Sequence, residues 1–354
     1  MSSFHPAFLS RFKASPAEMQ ALQHLAAARA RVGAVQGLET ADLESLRQTA
    51  LVESAESSNR LEGIVTKPGR VRALVTRKLK PETRDEAQIA GYRDALALIH
   101  DPRRRPQLDQ PGLLDLHRRL SASEPGAGAY KLRDNAIVER APDGSARLRF
   151  QPVGAKATPV AMRQWFLQHH LAQEEGLDPV LAMGLLVFDL TCIHPFRDGN
   201  GRLSRLWNLL LAYDQGFEAA RYISLERLTE QSRDCYYANL AASSHGWHQH
   251  AHDPHPWLSY FLQILLSAHL ELEARLQGLR GKRGDKSVLV RHSILAQVGL
   301  FSLADVEAVN EPISPDLVRL VLRKLRAEGK VQMNGRGRGA RYWVHPSRPS
   351  KERS

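Results

Sequence analysis

Residues 180–188 are an unbroken apolar run, bounded by Pro179 and Asp189, and the segment keeps a helical character to Cys192. A helix that is apolar nearly all round has no polar face to offer water, so other elements must surround it. The run is far short of the roughly 20 residues that cross a bilayer. It therefore predicts the centre of a helical core, and no membrane span. Candidates to surround it are close by: apolar residues recur three and four apart over 19–35, 41–52, 89–99, 113–120, 159–171 and 257–276, the period of amphipathic helices. The expected fold class is mainly α. Residues 130–151 break the pattern, with β-favouring runs around a Pro142-Asp143-Gly144 turn, and predict a β-hairpin inserted between helices. No repeat at a 20 to 50 residue period is visible, which excludes solenoids.

At 354 residues the chain exceeds what one core usually serves. The Gly-rich, basic stretch RLQGLRGKRGDKS is the best boundary. It contains no GxxxxGK[ST] phosphate loop. The expected organisation is an N-terminal helical region at 1–105, a helical core at 106–275, a linker at 276–286, a small unit at 287–345 and a tail at 346–354. Hydrophobic residues are 43% and charged residues 25%, the composition of a globular protein and not of a disordered one. Cys192 and Cys235 form no CxxC pair, so disulfides and cysteine-bound zinc carry no weight. The opening MSSFHPAFLSRFKASP has no basic, apolar and small-residue succession of an export signal. A cytoplasmic protein is the expectation. The net charge of +11 is unevenly placed: residues 275–354 hold 17 Lys and Arg against 7 Asp and Glu, leaving 32 against 31 for the rest. A basic terminal unit on a near-neutral body suits a polyanionic partner.

The chemistry concentrates directly after the apolar run, in His194-Pro195-Phe196-Arg197-Asp198-Gly199-Asn200-Gly201-Arg202-Leu203-Ser204-Arg205. Leu206, Trp207, Leu209 and Leu210 then resume helical spacing, so the loop joins two helices and Gly-Asn-Gly opens the second. Glycines let backbone N–H groups converge, and the helix N-terminus adds its positive end, which together favour an anion such as phosphate. Arg202 and Arg205, three apart in the first turn, can add phosphate contacts. Asp198 beside a phosphate is a suitable hard oxygen ligand for Mg²⁺. His194, on the rim, can take a proton from a hydroxyl.

These twelve residues match HPFx[D/E]GNGRxxR, and the sequence resembles the Fic family. The resemblance implies an all-helical core with a β-hairpin flap, and transfer of AMP from ATP to a protein hydroxyl. It implies His194 as general base and Asp198 as the Mg²⁺ holder. Gly199, Asn200 and Gly201 would bind the α and β phosphates, Arg202 and Arg205 the β and γ phosphates, and Phe196 would anchor the loop. Ser58-Asn59-Arg60-Leu61-Glu62-Gly63 resembles the family's [S/T]xxxE[G/N] inhibitory motif. There Glu62 would pair with Arg205 and place a carboxylate where the γ phosphate belongs; Ser58 and Gly63 are the motif's other fixed positions. Gly128, Tyr130, Lys131, Val138 and Pro152 fall where the flap has GxYR, an apolar strand and Pro. The resemblance implies that Tyr130, Lys131 and Val138 hold a target segment by strand addition. Glu230 to Tyr237 resembles the ExNRxxYY helix near the nucleoside, with Ser232 at the Asn position. His245, His248, His250, His252 and His255 suggest zinc, but Asp253 alone adds a carboxylate there and a surface loop is the preferred reading.

Residues 287–345 read as three short helices, with a turn at 310–314, and a hairpin. The succession resembles a winged helix-turn-helix domain. Arg319 and Arg323 would lie on the recognition helix with Lys324 and Arg326, and Arg336, Arg338 and Arg341 on the wing, all available to duplex DNA. The expected function is therefore an autoinhibited protein AMPylase acting on a Ser, Thr or Tyr hydroxyl of a target, or of itself, with ATP and Mg²⁺. The alternatives are a deAMPylating enzyme and a DNA-binding regulator with a nucleotide-sensing core. A homodimer is also expected from relatives with an N-terminal inhibitor.

Overall fold

The computed structural model describes residues 2–33, 40–67, 69–140, 146–174, 176–279, 286–297, 299–310, 313–335 and 337–344. The N-terminal third is helical: α1 (Pro6–Leu9), α2 (Pro16–Gly33), α3 (Thr40–Leu61), α4 (Arg70–Val75), α5 (Arg84–His100) and α6 (Gln110–Leu120). Local chemistry sets several of these starts. Thr83 accepts the Glu86 N–H ahead of α5, and Asp109 accepts the Gly112 N–H ahead of α6, each satisfying a first-turn donor. Spacing placed the third of the six helices at 41–52, whereas α3 runs on to Leu61 through the polar stretch Glu53–Arg60.

Then come the hairpin strands β1 (Ile137–Arg140) and β2 (Ala146–Phe150), followed by α7 (Thr158–Glu174), α8 (Pro179–Ile193), α9 (Asn200–Asp214), α10 (Leu225–Gln231), α11 (Arg233–Ser244) and α12 (His255–Leu279). The strands pair antiparallel, with Val138 opposite Leu148. The expected hairpin over 130–151 is narrower in the structure, since residues 130–136 are irregular and bond to a neighbouring loop. The Pro142-Asp143-Gly144 turn lies outside the described residues. The apolar run becomes α8 at the centre of the core, and its flanks show why it starts and stays there. Asp178 accepts the N–H groups of Val180 and Leu181, with Pro179 at the first helical position. Two indoles, Trp165 and Trp257, donate to the α8 carbonyls of Leu186 and Gly184. A Cβ at Gly184 would sit 2.8 Å from Leu258, so glycine there lets α12 close on α8. Asp189 does not stop the helix. It is buried within it and accepts from Ser3 N–H, Ser3 Oγ and the Trp247 indole, which ties the first residues of the chain to the core. Phe8, Leu25, Ala55 and Tyr92 belong to the same continuous core as Phe188 and Trp207. The division expected at residue 105 is therefore no boundary between cores.

A second, separate core contains Val290, Ile294, Val306, Val318, Val321, Leu325 and Val331. It unites α13 (Lys286–Leu295), α14 (Leu303–Val309), α15 (Pro315–Ala327) and the antiparallel strands β3 (Val331–Asn334) and β4 (Arg341–Val344). Phe301 pairs with Tyr342 as an isolated bridge. The expected linker is shorter than 276–286, because α12 continues to Leu279 and α13 begins at Lys286. Among the described residues no helix is long and apolar enough to cross a membrane.

Candidate active site

The site is built where α8 ends and α9 begins. α8 stops because His194 turns left-handed, with φ 52° and ψ 60°, an uncommon conformation for a residue with a Cβ. Its Nδ1 lies 3.3 Å from the Thr191 carbonyl; with the proton on Nδ1, the Nε2 lone pair is free to accept. Burial first, then the positive charge of Lys131, pushes the imidazole pKa down to about 4, against the opposing pull of the Glu62 and Asp198 carboxylates. His194 is neutral near pH 7 and fit to receive a proton. At the other side of the loop, Gly199 is left-handed at φ 77° and caps α9 with no side-chain hydrogen bond. The first N–H groups of α9 thus face outward without a side-chain partner, the arrangement that favours an anion.

The loop between is heavily buttressed. Phe196 is completely buried and stacks on His117 of α6 with ring centroids 3.7 Å apart. His117 Nδ1 accepts the Gly128 N–H at 2.9 Å, which leaves Nε2–H to donate to the Asp198 carbonyl at 3.1 Å. The Asn200 side chain spans the loop, accepting Phe196 N–H and donating to the Phe196 carbonyl. The Asn200 side chain thus braces the loop, and its backbone N–H belongs to the first turn of α9. Lys131 is also relocated. It is 5% exposed and directs its ammonium to the Asn135 side chain and the Ile193 and His194 carbonyls. It lies under the loop instead of on a peptide-facing strand. Tyr130 packs against Phe196 and carries a buried hydroxyl without a hydrogen-bond partner. Val138, by contrast, is half exposed on β1.

Glu62 lies one residue past the last residue of α3 and reaches the start of α9. Its Oε1 accepts from Arg205 at 2.7 Å, while Arg205 also donates to Ser58 Oγ and the Ser58 carbonyl, both at 2.8 Å. A Cβ on Gly201 would collide with Glu62 Oε1, so glycine is what allows a carboxylate to rest on the anion-favouring helix end. Burial pushes the Arg205 guanidinium down, but the Glu62 carboxylate together with the Tyr236 and Tyr92 side chains holds the pKa above the ordinary value. Gly63, left-handed at φ 75°, turns the chain away immediately afterwards. Arg202 is buried, donates weakly to Asn59 Oδ1 at 3.4 Å and leaves its Nε unpartnered.

His194, Gly201, Glu62 and Arg205 line one cavity of about 150 Å³, closed by Phe150, Phe188, Tyr236, Tyr237 and Leu240. The flap side is latched. Arg149 of β2 donates to the Tyr237 carbonyl, and its guanidinium lies over the Tyr237 ring at 5.3 Å. Ser232 sits at the break between α10 and α11, where its hydroxyl bonds the Leu228 carbonyl and Tyr260. Asp198 is exposed beside the helix end and accepts the Gly199 N–H at 2.6 Å. Among the described residues no group of three or more His, Cys, Asp or Glu could hold a metal ion. One exposed carboxylate at the start of α9 is nevertheless the kind of hard oxygen donor that suits Mg²⁺, which commonly takes one or two carboxylates and completes its shell with other oxygens and water. The histidine run does other work: His250 stacks on His5, His252 bonds Ser3, and His255 bonds Glu18.

In the C-terminal unit, Arg319 is held by Glu307 and Asp316, while Arg323, Lys324, Arg326 and Arg341 are exposed. Arg336 and the side chain of Arg338 lie outside the described residues. His117, Asn135, Asn59 and Arg149 were not singled out from sequence. His117 falls on an ordinary amphipathic stretch, and the site contacts of the others, Asn135 to Phe196, Asn59 to Arg202 and Arg149 to Tyr237, join residues far apart in the chain, so no local spacing marks them.

Residues 107–212 match the sequence model of the Fic/DOC family. A protein adenylyltransferase Fic from Nematostella vectensis is 26% identical over 196 residues, which are 53% of this chain and 42% of that protein. Among solved structures, a Fic family protein from Desulfovibrio desulfuricans G20 aligns over 97% of this chain and 99% of its own, at 18% identity and a TM-score of 0.62. A Fic domain containing signaling protein from Bacteroides thetaiotaomicron VPI-5482 aligns over 74% and 98%, at 20% identity and 0.58. Fic-1 from C. elegans aligns over 75% and 71%, at 21% identity and 0.55.

Proposed function

Because residues 107–212 match the Fic/DOC family model, we propose that this chain is a protein adenylyltransferase restrained by its own Glu62. The observation that carries the reading is the occupancy of one small cavity by two opposed groups. A neutral His194 is ready to accept a proton, and the Glu62 carboxylate rests on the helix end where a phosphate would bind. With Glu62 withdrawn, the α9 N–H groups, Arg202 and Arg205 would hold the phosphates of ATP. His194 Nε2 would take the proton of a target Ser, Thr or Tyr hydroxyl as its oxygen bonds the α phosphorus and the bond to pyrophosphate breaks. Arg202 supports this role, because a buried guanidinium with an unpaired Nε lacks a polar partner that phosphate could supply. Mg²⁺ at Asp198 would neutralise phosphate charge when bound.

The test uses ATP labelled on the α phosphate with the full chain, Glu62→Gly and His194→Ala. Label should pass to protein, rise with Glu62→Gly and vanish with His194→Ala. No transfer by any form would end the transferase reading, and release of AMP from a premodified target would favour deAMPylation instead. For the C-terminal unit we propose a winged helix-turn-helix that binds duplex DNA. Its support is the local basic surplus and the exposure of Arg323, Lys324 and Arg326 on α15.

A further inference from the structure

Four consecutive carbonyls lead from the end of α8 into the loop, those of Ile193, His194, Pro195 and Phe196, and all four accept from residues 131 and 135. Lys131 Nζ donates to the His194 carbonyl at 2.9 Å and to that of Ile193 at 3.4 Å. The Lys131 N–H donates to the Pro195 carbonyl at 2.9 Å, and Asn135 Nδ2 to the Phe196 carbonyl at 3.0 Å. Asn135 Oδ1 takes the third ammonium proton at 2.7 Å. All three donors of the ammonium are used, and Lys131 does not line the cavity. The carbonyls it meets are the negative end of α8, where a cation is favoured. They also flank the left-handed turn at His194, a conformation that a residue with a Cβ holds only where its surroundings fix it.

We propose that Lys131, anchored by Asn135, is a positioning residue for the active-site histidine: it fixes the left-handed turn that aims the His194 ring into the cavity. The role assigned to His194 rests on the transferase reading, whereas the clamp itself is a property of the turn. The same cation also acts on the ring electrostatically, since it lies beside a group whose other charged neighbours, Glu62 and Asp198, both favour protonation. Burial pushes the Lys131 ammonium down to about 8, with Asp134 opposing. It is thus charged at pH 7, and the clamp weakens above that range.

Lys131→Met, Lys131→Arg and Asn135→Ala, each combined with Glu62→Gly in the full chain, test this. With Lys131→Met, kcat for AMP transfer should fall about 10 to 100-fold with little change in KM for ATP, the signature of a misplaced group outside the binding site. The acid limb of kcat should move to higher pH, because loss of the cation makes His194 easier to protonate. Lys131→Arg should keep the limb in place. Ring NMR of the nucleotide-free chain, with His194→Ala to identify the resonance, should show the same upward move in the His194 titration. An unmoved kcat, or an unmoved titration, overturns the proposal. If Lys131→Met does not fold, Asn135→Ala decides: a lowered kcat at constant KM supports the clamp and an unchanged kcat overturns it. If the Glu62→Gly parent transfers no AMP, the transferase reading fails, and the NMR titration still judges the clamp.

Discussion

At the scale of single residues, the site depends on which groups are neutral and which are paired. His194→Ala removes an acceptor and not a phosphate contact, so transfer should fall roughly 10² to 10⁴-fold while ATP affinity holds; equal losses of both, measured by calorimetry and turnover, would make the residue structural. Glu62→Gly acts oppositely. The carboxylate is 33% exposed and the guanidinium 8%, so the pair opens from the Glu62 side without moving Arg205. Position 62 already lies beyond the last residue of α3, and glycine there should spare the helix the roughly 1 kcal/mol that it costs in an interior. Labelling should rise, and adding Arg205→Ala should cancel the gain. A single variant no more active than wild type would leave Glu62 as an ordinary helix-end residue.

At the scale of elements, the hairpin and α9 divide the work. β1 and β2 present Val138 and Leu148 as a directly paired, half-exposed apolar couple, while Arg149 on the same strand latches the hairpin to α11. A side chain that faces solvent contributes little to the fold, so Leu148→Glu should leave the melting temperature within about 2 °C of wild type. On the proposed strand-addition role it should raise KM for a protein target and leave ATP affinity alone. Unchanged target kinetics would remove the hairpin face from recognition. α9 tolerates less. Gly201 borders both the carboxylate and any phosphate, so a side chain there excludes either occupant.

At the scale of the whole molecule, the buried histidines set an acid limit. Burial lowers His100 to about 3 and His117, His194 and His252 to about 4. Each folded value is below the unfolded one near 6.5, so the stability these neutral rings contribute is complete above about pH 6.5 and is lost as pH falls toward 4. Unfolding near pH 5 should take up several protons, with a slope of about 1.4 kcal/mol per pH unit for each ring; a melting temperature flat from pH 7 to 4.5 would contradict it. The C-terminal unit gives a separate prediction. Arg323→Glu with Lys324→Glu should abolish salt-dependent retention on duplex DNA without altering transfer, and if wild type is not retained at all, the unit docks protein instead.

Sequence alone determined what is local. The apolar run had to become the buried α8 and the Gly-Asn-Gly segment had to open a helix, and the His194–Arg205 spacing raised the expectation of phosphate chemistry, because each rests on neighbours within a few residues. The Glu62–Arg205 pair was legible only through resemblance, since 143 residues separate its members. Tertiary structure decided the rest. It showed that the N-terminal helices share the central core, that Asn200 braces the loop with its side chain, and that Lys131 serves the loop from beneath instead of meeting a peptide. A side chain's partners depend on which segments pack together, and that choice is made by the burial of the entire chain; no spacing along residues 128–135 encodes that four carbonyls of residues 193–196 will be waiting there.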